Sequence, residues 1–421
     1  MRIKFFIAIL FVLTCNISFA QGDLYVKSAG DENRLKEQRN LLKYISKNLS
    51  LALSDSTEEQ WQDAFDAIEL TGYRSPWIDG RIRMAVNAMD KRSFPFQRSL
   101  LELLYSAYPG IFIKEARLFA GKTSDVKIFA MCAEYVMQST EPGLDGWGFL
   151  EQVMRLSETH KDNGIVQVLL QRQMQPMLDL VKSPDSVKDR IGINAFLPGE
   201  IMVISFQRRN RDYPGLAVVR NSNGEFIRDD GGNIFSVPQL ARSLSNLPFY
   251  LTNGNTPQGL FRMNGFDVSK SAAIGPTTNI QLMMPHETTP QFFLKDSSVK
   301  DTAWTEDLYK RLLPVKYGND VALYESYYAG KCGRTEIIAH GSTVNPDYYR
   351  GKTYYPHTPT QGCLCCKEAW GGPDGRRIQS DQQLLTDALR RAGGANGYLL
   401  VIEIDDAKGP VTLQDVLPFL Q

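Results

Sequence analysis

This chain contains few histidines and has no net charge. Histidine occupies 4 of the 421 positions, and 47 lysines and arginines balance 47 acidic residues, which leaves a net charge of zero. Nucleic-acid-binding domains need clustered positive charge, so we expect no nucleic-acid partner. No stretch after residue 20 stays apolar over the roughly 20 residues that a membrane-spanning helix needs, so we expect no transmembrane segment.

The first residues of the chain carry a short apolar run. Two basic residues and this run fill positions 1–13, and Ser18-Phe19-Ala20 follows. This pattern predicts a secretory signal peptide at residues 1–20 that is cut before Gln21. We therefore expect a chain exported to the periplasm and soluble after this processing. Cys15 would favour a lipoprotein instead, but Thr14 stands where such sites usually have Gly, Ala or Ser.

Cysteine is sparse, with six residues in all. Those beyond the predicted signal peptide are Cys132, Cys332, Cys363, Cys365 and Cys366. Exported proteins form disulfides, and an odd number leaves at least one thiol unpaired within the chain. Because adjacent cysteines cannot bond each other without strain, we expect Cys332 to pair with Cys365 or Cys366. Zinc is the alternative use of these thiols, with His340 and His357, but Cys-Leu-Cys-Cys lacks the Cys-x2-Cys spacing of structural zinc sites, and we predict no metal.

Apolar residues recur at helical spacing from about residue 30 to residue 185. Ser56-Thr57-Glu58-Glu59 resembles a capping box, and Trp61, Phe65 and Ile68 follow it along one face. Helices of this kind separated by short turns predict an α-helical array similar to HEAT repeats. We expect residues 21–188 to form this domain, with a boundary in the charged, turn-prone segment 183–192.

The pattern changes to strands in residues 189–421. Glu200–Phe206 and Gly215–Arg220 are rich in β-branched and apolar residues, and a third strand is expected at Glu225–Ile227. A short helix is expected at Gln239–Leu244. Thr335–Ala339 predicts a strand that ends at the next residue, a histidine. The whole chain is therefore predicted to be α+β, with helices first and a mostly-β domain after them.

A base and a thiol stand about twenty residues apart in the second domain. His340-Gly341-Ser342-Thr343 offers an imidazole, and Thr360-Gln361-Gly362-Cys363 offers a thiol after a glycine turn. A thiol is a weak nucleophile near neutral pH unless a neighbouring group takes its proton, and histidine is the usual neighbour. We predict that two strand ends joined by a long loop bring Cys363 to His340.

These two segments resemble the L,D-transpeptidase (YkuD-type) family of peptidoglycan enzymes, whose mark is a His-Gly-Thr-like segment followed by Ser/Thr-x-Gly-Cys. Thr256-Pro257-Gln258-Gly259-Leu260-Phe261 is similar to the family's Thr-Pro-x-Gly-x-Phe strand, and Gly397–Ile404 to its closing strand. The resemblance covers roughly residues 195–410 and implies a mostly-β sandwich with short helices. Two positions depart from the family pattern: Cys365 stands where an arginine is usual, and Gln361 where many members have histidine.

The resemblance also implies roles for individual residues. Cys363 would be the nucleophile and His340 its base, with Gly341, Ser342, Gln361 and Gly362 orienting the imidazole or forming the oxyanion site. The residues expected to bind substrate are His357, Tyr355, Lys367 and Arg376. Lys367, Arg376 or Arg377 could replace the missing arginine. No cofactor is expected.

The expected function is cysteine acyl transfer in cell-wall biogenesis, with consequences for cell shape. The thiolate of Cys363, paired with protonated His340, would attack a carbonyl of a peptidoglycan stem peptide and pass the acyl group to an amine. The alternatives are an L,D-carboxypeptidase or endopeptidase that uses water, and a non-catalytic wall-binding protein. A protein partner bound through the helical domain is a further expectation, because such arrays usually scaffold or dock.

Overall fold

The computed structural model describes residues 23–139, 146–179, 196–315, 318 and 320–420. The predicted signal peptide at residues 1–20 and the predicted domain boundary at 183–192 lie outside these residues. Among the helices of the described ranges, none is both long enough and apolar enough to cross a membrane.

Eight α-helices make up the first part of the described chain, residues 23–179. They are α1 (Asp31–Ser50), α2 (Glu58–Thr71), α3 (Pro76–Ala88), α4 (Phe94–Ala107), α5 (Ile113–Ala120), α6 (Val126–Ser139), α7 (Gly146–Thr159) and α8 (Gly164–Asp179). Polar caps start several of them: Ser75 accepts from the amide of Ile78, and Ser93 from that of Phe96. The helical prediction for this half of the chain is confirmed.

The helices pack as a stack with one continuous apolar core. α2 lies against α4, α4 against α6, and α6 against α8, while α1, α5 and α7 pack on α2, α6 and α8. Trp61, Phe65 and Phe96 are almost completely buried and meet edge to face. Burying such large side chains is the main stabilising contribution to an array of short helices.

Ten strands and five helices make up the second part of the described chain. The strands are β1 (Met202–Arg208), β2 (Gly215–Arg220), β3 (Ser236–Leu240), β4 (Gly259–Asp267), β5 (Asn279–Met283), β6 (Ile338–His340), β7 (Leu364–Cys366), β8 (Glu368–Gly371), β9 (Arg376–Ser380) and β10 (Tyr398–Asp405). The helices are α9 (Pro290–Leu294), α10 (Glu306–Lys310), α11 (Glu325–Lys331), α12 (Asp381–Arg391) and α13 (Leu413–Val416). The α+β prediction is confirmed at this level.

The strands form a closed barrel where the sequence analysis expected a sandwich. The strand order is β1-β10-β4-β5-β6-β7-β3-β2, and β8 and β9 form a separate hairpin. β1 pairs with β10 and β6 pairs with β7 in parallel, and the other barrel pairs are antiparallel. The sandwich prediction was wrong in this respect, because β3 bridges β2 and β7 and so leaves no open edge between two layers.

Alternate residues of the strands fill the barrel interior. One apolar cluster joins Val203, Phe261, Ala339 and Leu364 to Leu389 of α12, so this helix plugs the barrel. A second cluster lies on the outer face of β1, β2, β4 and β10 and packs against α9, α10 and the C-terminal residues 411–420. The sheet is therefore covered on both faces around much of its circumference, which explains the nearly continuous burial of β1 and β10.

Two predicted elements of the second part were wrong. Gln239–Leu244 was expected to be helical, but Gln239 pairs with Gly215 of β2 and with Cys366 of β7, so tertiary pairing overrides the local pattern. Glu225–Ile227 forms only an isolated bridge, between Phe226 and Arg220, rather than a strand. The strand expected at Thr335–Ala339 starts later, at Ile338, and still delivers His340.

The helical part and the barrel part share a core at one segment. Leu247, Tyr250 and Leu251, which lie between β3 and β4, belong to the apolar cluster of the helices. The Tyr250 hydroxyl donates to Glu134 of α6 at 2.9 Å, and Asn253 Nδ2 donates to Glu102 of α4 at 3.0 Å. We call residues 247–255 the docking loop, because its apolar side chains are buried against α-helices that precede the barrel in the chain.

Candidate functional site

β6 holds the histidine of the site and fixes its ring. Ala339 faces the barrel interior, so His340 faces outward, and α12 secures the strand because Gln382 Nε2 donates to the Ala339 carbonyl at 3.0 Å. His340 Nδ1 lies within hydrogen-bond distance of the carbonyl oxygen of Gly341. Since a carbonyl only accepts, Nδ1 must carry the proton, and Nε2 is left with the lone pair of a base.

Burial keeps the imidazole neutral. His340 is only 4% exposed, and desolvation lowers its pKa to about 4, although the contact with the Gly341 carbonyl opposes this shift. The long loop between β6 and β7 packs nearby, because its Tyr349 and Tyr354 cluster with Leu240 of β3, the strand that pairs with β7. At neutral pH, His340 is therefore able to accept a proton.

The thiol sits on a turn that several side chains hold. Gly362 has φ of +111°, a left-handed conformation that favours glycine. Thr360 Oγ1 accepts the Gly362 amide at 3.1 Å and donates to the Cys363 carbonyl at 2.8 Å. Thr256 Oγ1 donates to the Gly362 carbonyl at 2.9 Å. These contacts give a structural reason for the threonine in Thr-x-Gly-Cys and for the threonine that precedes β4.

Backbone groups just before β6 surround the sulfur of Cys363. The Ile338 amide donates to Sγ at 3.4 Å, and Sγ donates to the Glu336 carbonyl at 3.6 Å. Glu336 has φ of +62°, an unfavourable conformation for a residue with a side chain, and its amide donates to Glu287. Strained backbone of this kind is frequent at functional sites.

The register of β6 and β7 places the base and the thiol on one face. Ala339 pairs with Leu364 and both face the interior, so the preceding Cys363 and the following His340 both lie on the other side of the sheet. They are diagonal neighbours on these two parallel strands. Cys365 is the direct lateral partner of His340.

The protonation states at rest differ from the expected ion pair. Burial raises the pKa of the Cys363 thiol, although the Ile338 amide and the positive charge of Arg334 oppose this shift. Burial lowers the pKa of His340. Both shifts favour the neutral thiol and the neutral imidazole, so proton transfer would accompany attack on a substrate rather than precede it.

The predicted orienting residues divide into two groups. The Gly341 carbonyl contacts the His340 ring, as that hypothesis requires. The Ser342 hydroxyl instead donates to the Ala273 carbonyl at 3.4 Å and accepts the Val344 amide, so it organises the loop. Gln361 is exposed, and the Gly362 amide is already bonded to Thr360 within the turn.

The predicted substrate-binding residues are in different environments. His357 is 7% exposed, its Nδ1 contacts the Tyr354 carbonyl, and its Nε2 is buried without a hydrogen-bond partner among the described residues. Tyr355 is exposed, and Lys367 lies 3.9 Å from Asp381. Arg376 is paired with Asp23 at the far end of the β8–β9 hairpin, so its contacts do not connect it to the Cys363 turn.

The cysteines are all free thiols in the part of the chain that the structure describes. The predicted disulfide between Cys332 and Cys365 or Cys366 is therefore not formed. Cys365 and Cys366 are buried in β7, and Cys332 lies next to Gly164 of the helical part. Within the described ranges, no three His, Cys, Asp or Glu side chains are grouped closely enough to hold a metal ion.

Sequence reasoning missed one residue that contacts the site. Arg334 follows α11, is 6% exposed, and packs against Gly362 with its guanidinium group. It lies 29 positions before Cys363 in a segment with no recognisable motif, so no spacing pattern points to it. A sequence carries little signal for a buried arginine whose partners are backbone carbonyls.

Comparisons with known proteins leave the family open. No family model, no curated protein and no solved structure matches this chain.

Proposed function

We propose that the protein is a cysteine acyltransferase of the L,D-transpeptidase type that acts on peptidoglycan stem peptides. The observation that carries this proposal is the placement of His340 and Cys363 on neighbouring parallel strands, with His340 at the end of β6 and Cys363 just before β7. The imidazole has its Nδ1 proton directed to the Gly341 carbonyl, and the sulfur accepts the Ile338 amide. A base with a fixed tautomer beside a thiol on a glycine turn is the arrangement that thiol acyl transfer needs.

The reaction would proceed through a thioester. As the sulfur of Cys363 bonds to the stem-peptide carbonyl carbon, its proton passes to His340 Nε2. The main-chain amide of Cys363 would stabilise the oxyanion, because the Gly362 amide is already bonded to Thr360. The tetrahedral intermediate then expels the D-amino acid, whose nitrogen takes the proton from His340. An acceptor amine attacks the thioester, gives its proton to His340, and leaves with a new amide bond while the thiol is restored.

The finer architectural predictions belong to the same proposal. We infer that the barrel part is a variant of the L,D-transpeptidase domain and that the helices form a HEAT-like array. The array supports the catalytic part through the docking loop and offers a surface to a protein partner. Export to the periplasm, where the substrate would be found, rests on the signal-peptide pattern at residues 1–20.

The experiment that tests the proposal is intact mass spectrometry after exposure to a carbapenem, because a strained lactam carbonyl acylates an activated thiol. We expect one adduct on the mature protein and none on Cys363→Ala. His340→Asn should form the adduct at least about 100-fold more slowly, the usual effect of losing a general base. Cys332→Ala is the matched control, because Cys332 is the other partly exposed thiol in the described ranges.

Two further results decide between the alternatives. If Cys363→Ala still forms the adduct, the nucleophile is wrong. If folded native protein with a free Cys363 thiol forms no adduct and releases no D-amino acid from stem peptides, a non-catalytic wall-binding protein is favoured. Where an adduct forms, incubation with stem peptides and mass analysis of the products separates transfer to an amine from hydrolysis by water.

A further inference from the structure

Arg334 is a buried cation whose hydrogen-bond acceptors are uncharged. Its guanidinium group donates to the carbonyl oxygens of Phe249, Gly254 (2.9 Å) and Asn255 (2.8 Å), all in the docking loop. Within the described ranges, no carboxylate forms an ion pair with it. Burial lowers its pKa to about 10, so the group is still charged at neutral pH. Burying an arginine without a carboxylate is costly, which calls for another source of negative charge.

The guanidinium group packs directly against the nucleophile turn. A methyl group placed on the Gly362 Cα would overlap both Arg334 Nη2 and the Gly254 carbonyl oxygen. Glycine at position 362 therefore serves two purposes: it adopts φ of +111° and it lets the cation approach the backbone. The residue that follows this close contact is Cys363.

The electrostatics of the two groups are reciprocal. A negative charge on Cys363 would stabilise the Arg334 cation more than the nearby Cys332 and Glu287 do. Arg334 in turn opposes the rise in the pKa of the Cys363 thiol, whereas Glu336 adds to that rise. The basic residues suggested by the sequence are engaged elsewhere: Lys367 is near Asp381, and Arg376 is paired with Asp23. Arg334 is thus the cation that packs against the turn preceding Cys363.

We propose that Arg334 is a positioning residue that ties the Gly362–Cys363 turn to the docking loop and stabilises the negative charge that forms on the Cys363 sulfur when its proton moves to His340. The inference rests on the proposed function for the identity of the reaction. It adds that the site receives its cation from the segment after α11, and that the helical part, through the docking loop, sets where this cation lies.

The test is the pH dependence of Cys363 alkylation by iodoacetamide, measured by mass spectrometry in a Cys332→Ala background. Because only the thiolate reacts, the midpoint of the rate profile reports the ionisation of Cys363. We expect Arg334→Gln to raise this midpoint by about one pH unit, which slows alkylation about tenfold at pH 7. Arg334→Lys, which keeps the charge, should give a midpoint nearer to that of the native protein than Arg334→Gln does.

Arg220→Gln is the matched control. Arg220 is also a buried arginine, 1% exposed, and it donates to the carbonyl oxygens of Phe196 and Leu197 on the outer side of the barrel. We expect this variant to lower the melting temperature without moving the alkylation midpoint. Arg334→Met replaces the glutamine variant if the latter does not fold.

Two outcomes would overturn the inference. One is a neutral Arg334 variant that lowers the melting temperature and leaves the midpoint unchanged, which would make the residue purely structural. The other is a lysine variant with the same raised midpoint as the glutamine variant, which would show that charge is not what matters. Alkylation needs no substrate, so these outcomes are independent of the carbapenem experiment, which alone tests the acyl-transfer chemistry.

Discussion

The helical part and the barrel part both have buried apolar cores, but they differ in the polar and titratable groups that they hold. In the helices the buried clusters are aliphatic and aromatic, and the single cysteine, Cys132, is completely buried. In the barrel part lie the other described cysteines and three histidines, His286, His340 and His357, each with a pKa lowered to about 4 by burial. Among the described residues, thiols and buried imidazoles are thus concentrated in the barrel part.

The two parts of the chain are in contact at the docking loop. The docking loop belongs to the barrel part in sequence, but Leu247, Tyr250 and Leu251 belong to the core of the helices. The same loop offers the carbonyl groups that bind Arg334, which packs against the turn before Cys363. The helical part therefore contributes no side chain to the proposed chemistry. It does pack against the docking loop, which binds Arg334 next to the turn before Cys363.

The largest expected effect comes from weakening the packing of the docking loop against the helices. Leu251→Ala removes a completely buried side chain from the helical core, and such substitutions cost about 2–5 kcal/mol of unfolding free energy. Because the docking loop positions Arg334, we also expect slower alkylation of Cys363 at temperatures where the variant remains folded. Urea denaturation and the alkylation rate measure the two effects.

Leu35→Ala on α1 is the control for this prediction. Leu35 is 59% exposed, so its truncation should change the unfolding free energy by less than about 0.5 kcal/mol and leave the alkylation rate unchanged. A Leu251 variant that is destabilised but reacts at the native rate would show that the helical part stabilises the chain without organising the site.

Elements that depend on local interactions could be predicted from the sequence, whereas those that depend on contacts between distant residues could not. β2 was predicted well, because a run of β-branched and apolar residues is a local signal. Two short motifs led to the prediction that His340 and Cys363 lie close together, and the structure places them on neighbouring strands. The closed barrel and the strand at Ser236–Leu240 were not predicted, because pairing partners far apart in sequence decide them. The docking loop and Arg334 were missed for the same reason.

A second, smaller effect is expected at the nucleophile turn. Gly362→Ala places a methyl group where Arg334 Nη2 and the Gly254 carbonyl now lie, at a backbone conformation with φ of +111°. We expect a loss of about 1–3 kcal/mol of unfolding free energy from this strain, and at least a tenfold slower alkylation of Cys363 as the turn and the cation separate. Thermal unfolding and the alkylation assay provide the measurements.

Gly351→Ala, in the loop between β6 and β7, separates the effect of backbone strain from the effect of displacing Arg334. Gly351 also has a left-handed φ, +86°, but a methyl group there would meet no atom within 4 Å. It should therefore show the backbone cost without the loss of alkylation rate. Equal effects of both substitutions on Cys363 would mean that the close approach of Arg334 is unimportant, and the link between the two parts of the chain would be weakened.

The smallest expected effects concern pH, where buried acids of the helices and buried histidines of the barrel part respond in opposite directions. Burial raises the pKa of Glu69 to about 8 and that of Glu102 to about 7 in the helices, so the folded state binds more protons than the unfolded state between about pH 4.5 and 8. Stability from these groups is lost as the pH rises through this window. For the buried histidines the unfolded state binds more protons between pH 4 and 6.5, so their effect on stability is unfavourable as the pH falls.

Single substitutions can separate these two responses. Glu69→Gln should gain stability relative to the native protein at pH 8 compared with pH 5, by about 1 kcal/mol or more, because one pKa unit corresponds to about 1.4 kcal/mol. Glu59→Gln, at an exposed position of the same helix, controls for the loss of one carboxylate.

His357→Gln should show the opposite pH dependence, with a gain in stability relative to the native protein at pH 5 compared with pH 7. Urea denaturation at the three pH values measures both. If both variants shifted in the same direction, burial of these two side chains would not set the pH dependence of stability. Opposite shifts would show that the buried acid Glu69 and the buried base His357 contribute to that dependence with opposite sign.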